Sequence, residues 1–140
     1  MAKLDNPITI IVRSSKEKTS FTLINSLKRQ INDSDILIVL DNQQSFTEKL
    51  LSSYKAALEF SNEFTLILDA DILIRKNFIW KVKRLSKMLP INNSGFGLCV
   101  IDKLYNRPKY RGVHIYRTSA ISKMITFFPL DKNIKRPESH

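Results

Sequence analysis

Three short runs of apolar residues stand out in the first half of the chain. They are ITIIVRS at 8–14, ILIVL at 36–40 and FTLIL at 64–68. Each run is continuous rather than alternating and is rich in Ile, Val and Leu, a pattern typical of parallel strands that are covered on both faces. We therefore expect three buried strands with helices packed on both sides of them.

The segments that follow these strands have the three-and-four spacing of apolar residues that predicts amphipathic helices. The inward positions are Phe21, Ile24, Leu27 and Ile31, then Phe46, Leu50, Tyr54, Ala57 and Leu58, then Phe78, Val82, Leu85 and Leu89. Ser14 with Glu17, and Ser45 with Glu48, have the spacing of capping boxes before the first two helices. Asn77 is expected to cap the third helix.

The resulting order, β-α-β-α-β-α with short connections, predicts an α/β fold: a three-layer α/β/α, Rossmann-like sandwich with a mainly parallel sheet. After a break at 90–95, we expect a strand at 96–101, another at 110–117 and a short helix at 118–128. The tail at 129–140 carries two prolines and no apolar periodicity, so we expect a loose end there.

Composition sets broad limits on the class of protein. A chain of 140 residues suits a single domain, and 43% hydrophobic residues with only three Gly indicate a packed core. No apolar run is long enough for a membrane span, and the N-terminus lacks the apolar core of a signal peptide. The single cysteine, Cys99, excludes an internal disulfide and fits a reducing compartment. We expect a cytoplasmic location.

The net charge of +10 is concentrated in the second half of the chain. Residues 1–71 hold 8 Lys/Arg and 10 Asp/Glu, whereas residues 72–140 hold 15 Lys/Arg and 3 Asp/Glu. A basic segment of this kind favours anionic partners such as phosphates, nucleic acid or an anionic membrane surface. The asymmetry alone does not choose among these partners.

Polar side chains stand at the ends of all three predicted strands. Arg13 and Ser14 end the first, Asp41 follows the second, and Asp69 and Asp71 end the third. Ligands of open α/β sheets bind outside the carboxyl ends of the strands, so these groups should share one edge. Residues i and i+2 of an extended segment project to the same side, and two adjacent carboxylates repel each other.

A divalent cation would relieve this repulsion, and carboxylate oxygens suit Mg²⁺ or Mn²⁺, which also bind substrate phosphates. The alternative is that the two Asp residues only terminate the strand and cap the next segment. The position of the pair, on the same edge as Asp41, favours a metal site formed by Asp69 and Asp71.

The segments ITIIVRSS, DILIVLDN and NEFTLILDADILIRKNFI resemble the nucleotide-binding half of a family-2-like glycosyltransferase with the GT-A fold. The resemblance implies a nucleotide-sugar donor whose sugar is transferred to an acceptor hydroxyl, as in a hexosyltransferase. It places Arg13 and Ser14 near the base, Asp41 at the base or ribose, and Asp69 at the ribose or metal. Asp71 of the DxD motif would be the direct ligand of Mn²⁺ or Mg²⁺.

The resemblance also implies how the chain is divided. One glycosyltransferase-like domain would span 1–140, with a nucleotide-binding half at 7–89 and the start of the acceptor side at 90–128. The chain is short for this family, so we expect the acceptor half to be truncated at the C-terminus and name no catalytic base. The acceptor, a saccharide, lipid or protein, stays open, and the basic half suits contact with the inner membrane surface.

Four basic residues of the second half are candidates for contacts with the donor phosphates or the metal. His114, Arg111 and Arg117 belong to the predicted strand at 110–117, and Lys109 directly precedes it. Cationic side chains at such positions would neutralise a departing diphosphate. Each of them can equally be an ordinary surface or strand residue.

Two alternatives remain. A phosphatase of the haloacid dehalogenase type also places D-x-D after a buried strand, with the first Asp as nucleophile. Its pattern continues with Thr or Val where this chain has Leu73, and it needs a later acidic pair. After Asp71 the acidic residues are widely separated: Asp102, Asp131 and Glu138.

The second alternative is a non-enzymatic basic domain that binds nucleic acid or a membrane surface, which the charge of residues 72–140 favours. The aromatic residues of that segment form no recognisable RNA-binding motif, so nucleic acid is the less expected partner.

Overall fold

The computed structural model describes residues 6–14, 18–41, 45–102, 107–109 and 112–126. Seven strands and four helices follow one another in this part of the chain. They are β1 (Ile8–Ser14), α1 (Ser20–Gln30), β2 (Ile36–Asp41), α2 (Phe46–Leu58), β3 (Phe64–Asp69), α3 (Phe78–Met88), β4 (Gly95–Gly97), β5 (Val100–Asp102), β6 (Arg107–Lys109), β7 (Val113–Arg117) and α4 (Thr118–Thr126).

Five of these strands form one sheet in the order β2-β1-β3-β7-β4. β1 pairs with β2 and β3 in parallel, while β7 is antiparallel to both β3 and β4. β4 therefore runs in the same direction as β1, β2 and β3, and only β7 opposes them. The predicted α/β sandwich with a mainly parallel sheet is confirmed.

Helices cover both faces of the sheet and make three layers. Leu23 and Leu27 of α1 and Val82 of α3 pack with the inward side chains of one sheet face. Leu50 and Tyr54 of α2 and the buried face of α4 pack on the other. Each layer therefore buries most of the apolar stripe that its helices carry in the sequence, although Leu58 of α2 and Leu85 of α3, expected to face inward, are exposed.

The strands differ in burial according to their place in the sheet. Every residue of β1, the middle of the three parallel strands, is buried, as its continuous apolar run predicts. β2 was expected to be equally buried, but its residues are half-buried or exposed. The reason is that β2 is the outermost strand of the sheet, next to β1 alone.

The two predicted capping boxes had different outcomes. At the start of α2, Ser45 Oγ accepts the N–H of Glu48 at 3.2 Å, and Glu48 Oε2 accepts the N–H of Ser45 at 3.3 Å. The box at Ser14 was wrong, because Ser14 is the last residue of β1 and α1 begins only at Ser20, after Thr19. Phe21 of α1, expected to face the core, is exposed.

The second half departs further from the sequence prediction. The single strand expected at 96–101 is split between β4, in the main sheet, and β5, which pairs with β6 in a separate two-stranded sheet. β7 and α4 lie within the segments predicted at 110–117 and 118–128. The tail at 129–140 lies outside the described residues. Among the helices that the structure describes, none is long and apolar enough to cross a membrane.

A buried ion pair closes the amino edge of the sheet. The carboxylate of Asp35, just before β2, accepts N–H groups of Ile8 at 3.0 Å and Asn32 at 2.8 Å. Lys83 of α3 donates to the same carboxylate at 2.8 Å. The side chains of Asp35 and Lys83 are 0% and 4% exposed, so this pair is sealed from water. It ties β1, β2 and α3 together at one end of the fold.

Candidate functional site

The carboxyl ends of the three parallel strands meet at the opposite edge of the sheet. In the strand register, Arg13 of β1 stands beside Asp69 of β3, and Ser14 stands beside Asp41 of β2. The structure therefore brings Arg13, Ser14, Asp41 and Asp69 together as adjacent positions on neighbouring strands. We call this region the carboxyl edge.

The central contact of the carboxyl edge is an ion pair between Arg13 and Asp69. Arg13 Nε and Nη2 lie 3.0 and 2.9 Å from Asp69 Oδ1. Arg13 is 8% exposed, whereas the side chain of Asp69 is 36% exposed. From the sequence, Arg13 was expected on the same edge as the two repelling carboxylates, but its pairing with one of them was not predicted. In the fold, a buried guanidinium neutralises part of that charge, and solvent still reaches the carboxylate.

Asp71 stands on a tight turn rather than on an extension of the strand. β3 ends at Asp69, and the carbonyl of Asp69 accepts the N–H of Ile72 at 3.2 Å. The expected extended geometry, with residues i and i+2 on one side, was therefore wrong. Asp71 is exposed at the tip of this turn, next in line to the half-exposed Asp69.

Both backbone polar groups of Ala70, its N–H and its carbonyl, anchor the turn. The Ala70 N–H donates to the carbonyl of Arg13 at 3.0 Å, and the Ala70 carbonyl accepts the Thr19 hydroxyl at 2.7 Å. Ala70 itself is fully buried. The two aspartates are thus held on either side of a fixed residue, so their backbone positions are set before any ligand binds.

Gly112 supports Asp69 from the neighbouring strand. Its carbonyl accepts the Asp69 N–H at 3.0 Å, and its φ of +79° lies in the left-handed region that favours glycine. A Cβ at this position would lie 2.7 Å from Ile72 Cδ1 and 3.1 Å from Asp69 Oδ2. No role was predicted for Gly112 from the sequence. The only available signal was that the chain contains just three glycines.

A second buried cation lies at the carboxyl edge and was missed at the sequence level. Lys49 of α2 is buried, and its Nζ donates to the carbonyl of Ser14 at 2.6 Å. The hydroxyls of Ser14 and Ser20 are hydrogen-bonded at 2.9 Å. The helical periodicity concealed Lys49, because it gives weight to the apolar neighbour Leu50.

The remaining candidates are dispersed. His114 is half-buried, with its ring stacked on Tyr116 at a centroid distance of 5.9 Å, and it pairs with Ile67 in the sheet. Ile67 is two residues before Asp69 along β3. Lys109 belongs to β6, and Arg111 lies outside the described residues.

Arg117 is a clear correction, because it lies at the amino edge. β7 is antiparallel to β3, so its last residue pairs with Phe64, the first residue of β3. There Arg117 Nη1 lies 3.0 Å from Glu63 Oε1, and Nη2 donates to the Leu89 carbonyl at 3.0 Å. Arg117 Cζ also lies 4.9 Å from the centre of the Phe64 ring. The expected contact of Arg117 with donor phosphates or metal was wrong.

The carboxylates of the carboxyl edge fit a metal ion that takes only one or two ligands from the protein and the rest from waters and substrate phosphates. In the described part of the chain, no group of three or more His, Cys, Asp and Glu side chains is arranged to hold a metal ion. Asp69 and Asp71 offer hard oxygen donors that solvent can reach. Mg²⁺ binds in this way, through one or two carboxylates together with waters and substrate phosphates.

Scans against protein-family models and curated proteins match nothing to this chain. The fold, however, is similar to several solved structures. Staphylococcus aureus TarS 1-349 has a TM-score of 0.57 at 17% identity over 94% of this chain and 52% of that one. A second structure of TarS 1-349, in complex with UDP-GlcNAc, has a TM-score of 0.55 at 15% identity over 88% and 48%.

Two further structures extend this comparison. A glycosyltransferase involved in glycosylation of the major capsid of PBCV-1 has a TM-score of 0.55 at 15% identity over 86% of this chain and 64% of that one. CMP:2-keto-3-deoxy-manno-octonic acid synthetase complexed with CTP has a TM-score of 0.55 at 11% identity over 95% and 81%.

At these identities the similarity shows the fold alone. The fold is the α/β sandwich found in GT-A glycosyltransferases and in a nucleotidyltransferase, as the sequence resemblance implied. The chain spans about half the length of TarS 1-349. The haloacid dehalogenase alternative gains no support from these similarities.

Proposed function

We propose that this chain is the nucleotide-binding half of a glycosyltransferase that moves a sugar from a nucleoside diphosphate to an acceptor hydroxyl. The observation that carries the proposal is the turn from Asp69 to Asp71, fixed at the carboxyl edge beside the buried cation Arg13. Ligands of open α/β sheets bind at this edge. The complex of TarS 1-349 with UDP-GlcNAc, a structure of similar fold, supports a nucleotide-sugar donor.

Each residue of the edge has a proposed task. Asp41 and Ser14, at the ends of β2 and β1, would contact the base or ribose. Asp69 and Asp71 would hold Mn²⁺ or Mg²⁺, with Asp71, which is exposed at the tip of the turn, as the direct ligand. When bound, the cation would stabilise the negative charge of the departing diphosphate.

The charges of the edge explain why nucleotide and cation should bind together. Asp69 and Asp71 would repel a diphosphate in the absence of a cation, since like charges in one site disfavour each other. Arg13 neutralises part of the charge of Asp69, so the edge offers a cation only a modest net negative charge. Neither ligand is therefore expected to bind well without the other.

A thermal melt with UDP, GDP and their sugars, in Mn²⁺ and in chelator, tests this proposal. A ligand at about 100 times its Kd adds about 2.7 kcal/mol to the free energy of unfolding. For a domain of this size the melting temperature should rise by roughly 5–15 °C, with Mn²⁺ only. Absence of a shift with every nucleotide in Mn²⁺ would overturn the proposal.

A pair of matched substitutions locates the effect. Asp71→Asn should abolish the Mn²⁺-dependent shift and leave the fold of the free protein intact, because Asp71 is exposed. The control is Asp33→Asn, which changes another exposed aspartate in the turn before β2, at the amino edge. This variant should retain the full shift. Retention of the shift in Asp71→Asn would remove the metal assignment.

The similarity to CMP:2-keto-3-deoxy-manno-octonic acid synthetase favours a second candidate, nucleotidyl transfer from a nucleoside triphosphate. That structure covers 95% of this chain at a TM-score of 0.55. The two candidates differ in their ligand and product. A nucleotidyltransferase would be stabilised by CTP and would release pyrophosphate with a sugar acid or sugar phosphate as the second substrate. A glycosyltransferase would be stabilised by a nucleoside diphosphate and its sugar.

A further inference from the structure

The segment from Ile72 to Ile101, which contains α3, carries positive charge without any acidic residue. Its cations are Arg75, Lys76, Lys81, Lys83, Arg84 and Lys87. A surface segment of ordinary composition mixes both signs, since a field of one sign repels itself. The segment therefore needs an explanation that the proposed nucleotide site, on the turn before it, does not supply.

The burial of α3 shows which of these charges face solvent. Its inward stripe is Ile79, Val82, Lys83 and Ser86. Lys83 is neutralised by Asp35 inside the fold. The other five cations are exposed, and those of the helix itself, Lys81, Arg84 and Lys87, stand on its outward side.

Large apolar side chains are interspersed with these outward cations. Leu85 is exposed, Met88 is 69% exposed, and Ile91 in the turn after the helix is 86% exposed. The ring of Trp80 lies beneath the guanidinium of Arg84, 5.3 Å from its carbon Cζ. We call the outward surface of residues 80–91 the α3 face.

The neighbouring helix of the same layer continues this surface. Gln30 at the end of α1 accepts the Ile79 N–H at 3.0 Å and donates to the Arg75 carbonyl at 2.8 Å. It holds the last turn of α1, with its exposed Lys28 and Arg29, against the start of α3. The whole of α1 contains no acidic residue.

The layer on the other side of the sheet is different. α2 presents exposed Glu48 together with exposed Lys55, and Glu59 follows as its C-cap. α4 contributes the exposed Lys123. The single-sign field is thus a property of the α1–α3 layer, and a matched control surface exists on the same molecule.

We propose that the α3 face docks on the surface of an anionic lipid bilayer. Lys and Arg attract anionic headgroups, while Leu85, Met88 and Trp80 reach the boundary with the acyl chains, the division of labour of helices that lie in a membrane interface. The long stems of Lys81 and Lys87 can lie along apolar surface while their charges stay among the headgroups. Nucleic acid would account for the cations but not for the exposed Met88 and Ile91.

Vesicle sedimentation with the whole chain tests the proposal and does not depend on the nucleotide site. We expect pelleting with vesicles of phosphatidylcholine and phosphatidylglycerol at 7:3, about 25-fold or more above neutral phosphatidylcholine, and a decrease with salt. Each lysine near an anionic surface contributes about fivefold to partitioning, so Lys81→Gln with Lys87→Gln should lower it roughly 25-fold. The control pair, Lys55→Gln with Lys123→Gln, should stay within about twofold.

A second pair of substitutions separates the bilayer from other occupants. Leu85→Ser with Met88→Ser keeps every charge and should lower partitioning about fivefold or more, since it removes apolar area from the interface. Equal binding to neutral vesicles, or an equal loss in the control pair, would overturn the proposal. So would tight binding of duplex DNA unaffected by the Ser pair, which would indicate nucleic acid. Sedimentation velocity showing a dimer that the Ser pair dissociates would assign the α3 face to a second copy of this chain.

Discussion

The two edges of the sheet each contain an ion pair with a buried cation, and they differ in what reaches the carboxylate. At the amino edge, both oxygens of Asp35 accept backbone N–H groups, and its side chain is 0% exposed beside Lys83. At the carboxyl edge, Arg13 directs two donors at a single oxygen of Asp69, whose side chain is 36% exposed. The first pair is enclosed by the fold, and the second opens toward solvent.

This difference separates a structural charge from one that can bind a ligand. A buried pair is retained only when hydrogen bonds satisfy its remaining capacity, and such a site has no room for another partner. A carboxylate held at the surface by one cation keeps capacity for a metal or a phosphate-bound water. The prediction from this comparison is that equal substitutions at the two edges have unequal costs.

The largest effect is expected for Asp35→Asn. The amide would leave Lys83 charged and buried, and its NH₂ group would face backbone donors of Ile8 or Asn32. Breaking a buried pair in this way costs about 3–5 kcal/mol. Urea denaturation of the purified chain measures this loss in the free energy of unfolding. If that variant does not fold, Lys83→Met, which removes the cation instead, should also lower the unfolding midpoint. A loss below about 1 kcal/mol in both variants would contradict the comparison.

A smaller effect is expected for Gly112→Ala at the carboxyl edge. Alanine would have to adopt the left-handed backbone conformation of Gly112, and its Cβ would lie 2.7 Å from Ile72 Cδ1. Together these two strains should lower the free energy of unfolding by about 2 kcal/mol. The same change at Gly97, where the nearest atoms are 3.6 Å away, is the control and should stay within about 0.5 kcal/mol. Equal melting temperatures for the two variants would show that Gly112 does not hold the edge in place.

The smallest loss of stability, about 1 kcal/mol, is expected for Asp69→Asn, the counterpart of Asp35→Asn. Water reaches this position, and the amide oxygen can still accept from Arg13. The same variant should lose the Mn²⁺-dependent nucleotide shift. Asp69→Asn would thus abolish binding at little cost in stability, whereas the main effect of Asp35→Asn would be on stability. A loss of 3 kcal/mol or more would show that the carboxyl edge is as structural as the amino edge.

Sequence reasoning succeeded where a signal was local or was carried by strand order. The buried strands β1 and β3, the capping box at Ser45, and the meeting of Arg13 with Asp69 at one edge follow from apolar runs and parallel topology. The capping box depends only on neighbouring residues, and the meeting of Arg13 with Asp69 requires only that β1 and β3 run in the same direction.

It failed where the outcome depended on the partner of an element. The direction of β7, set by its pairing with β3, moved Arg117 to the far edge. The outer position of β2 left it half-buried. Lys49 and Gly112 act through contacts with residues 35 and 43 positions away, and no short pattern encodes such contacts.

The place of β7 between β3 and β4 sets the order in which the sheet can be completed during folding. The three parallel strands pair with one another entirely within residues 8–69, which precede β7 in the chain. The paired positions of β3 and β7 are about 45–53 residues apart and those of β1 and β3 are about 56 apart, so the loop-closure costs are similar and the position of β7 in the chain, not loop length, makes it the later strand. A chain emerging from the ribosome would assemble the first three strands with one side of β3 still open. The antiparallel strand that follows Gly112 would join them later, and the carboxyl edge would acquire its final geometry only when the Gly112 carbonyl accepts the N–H of Asp69.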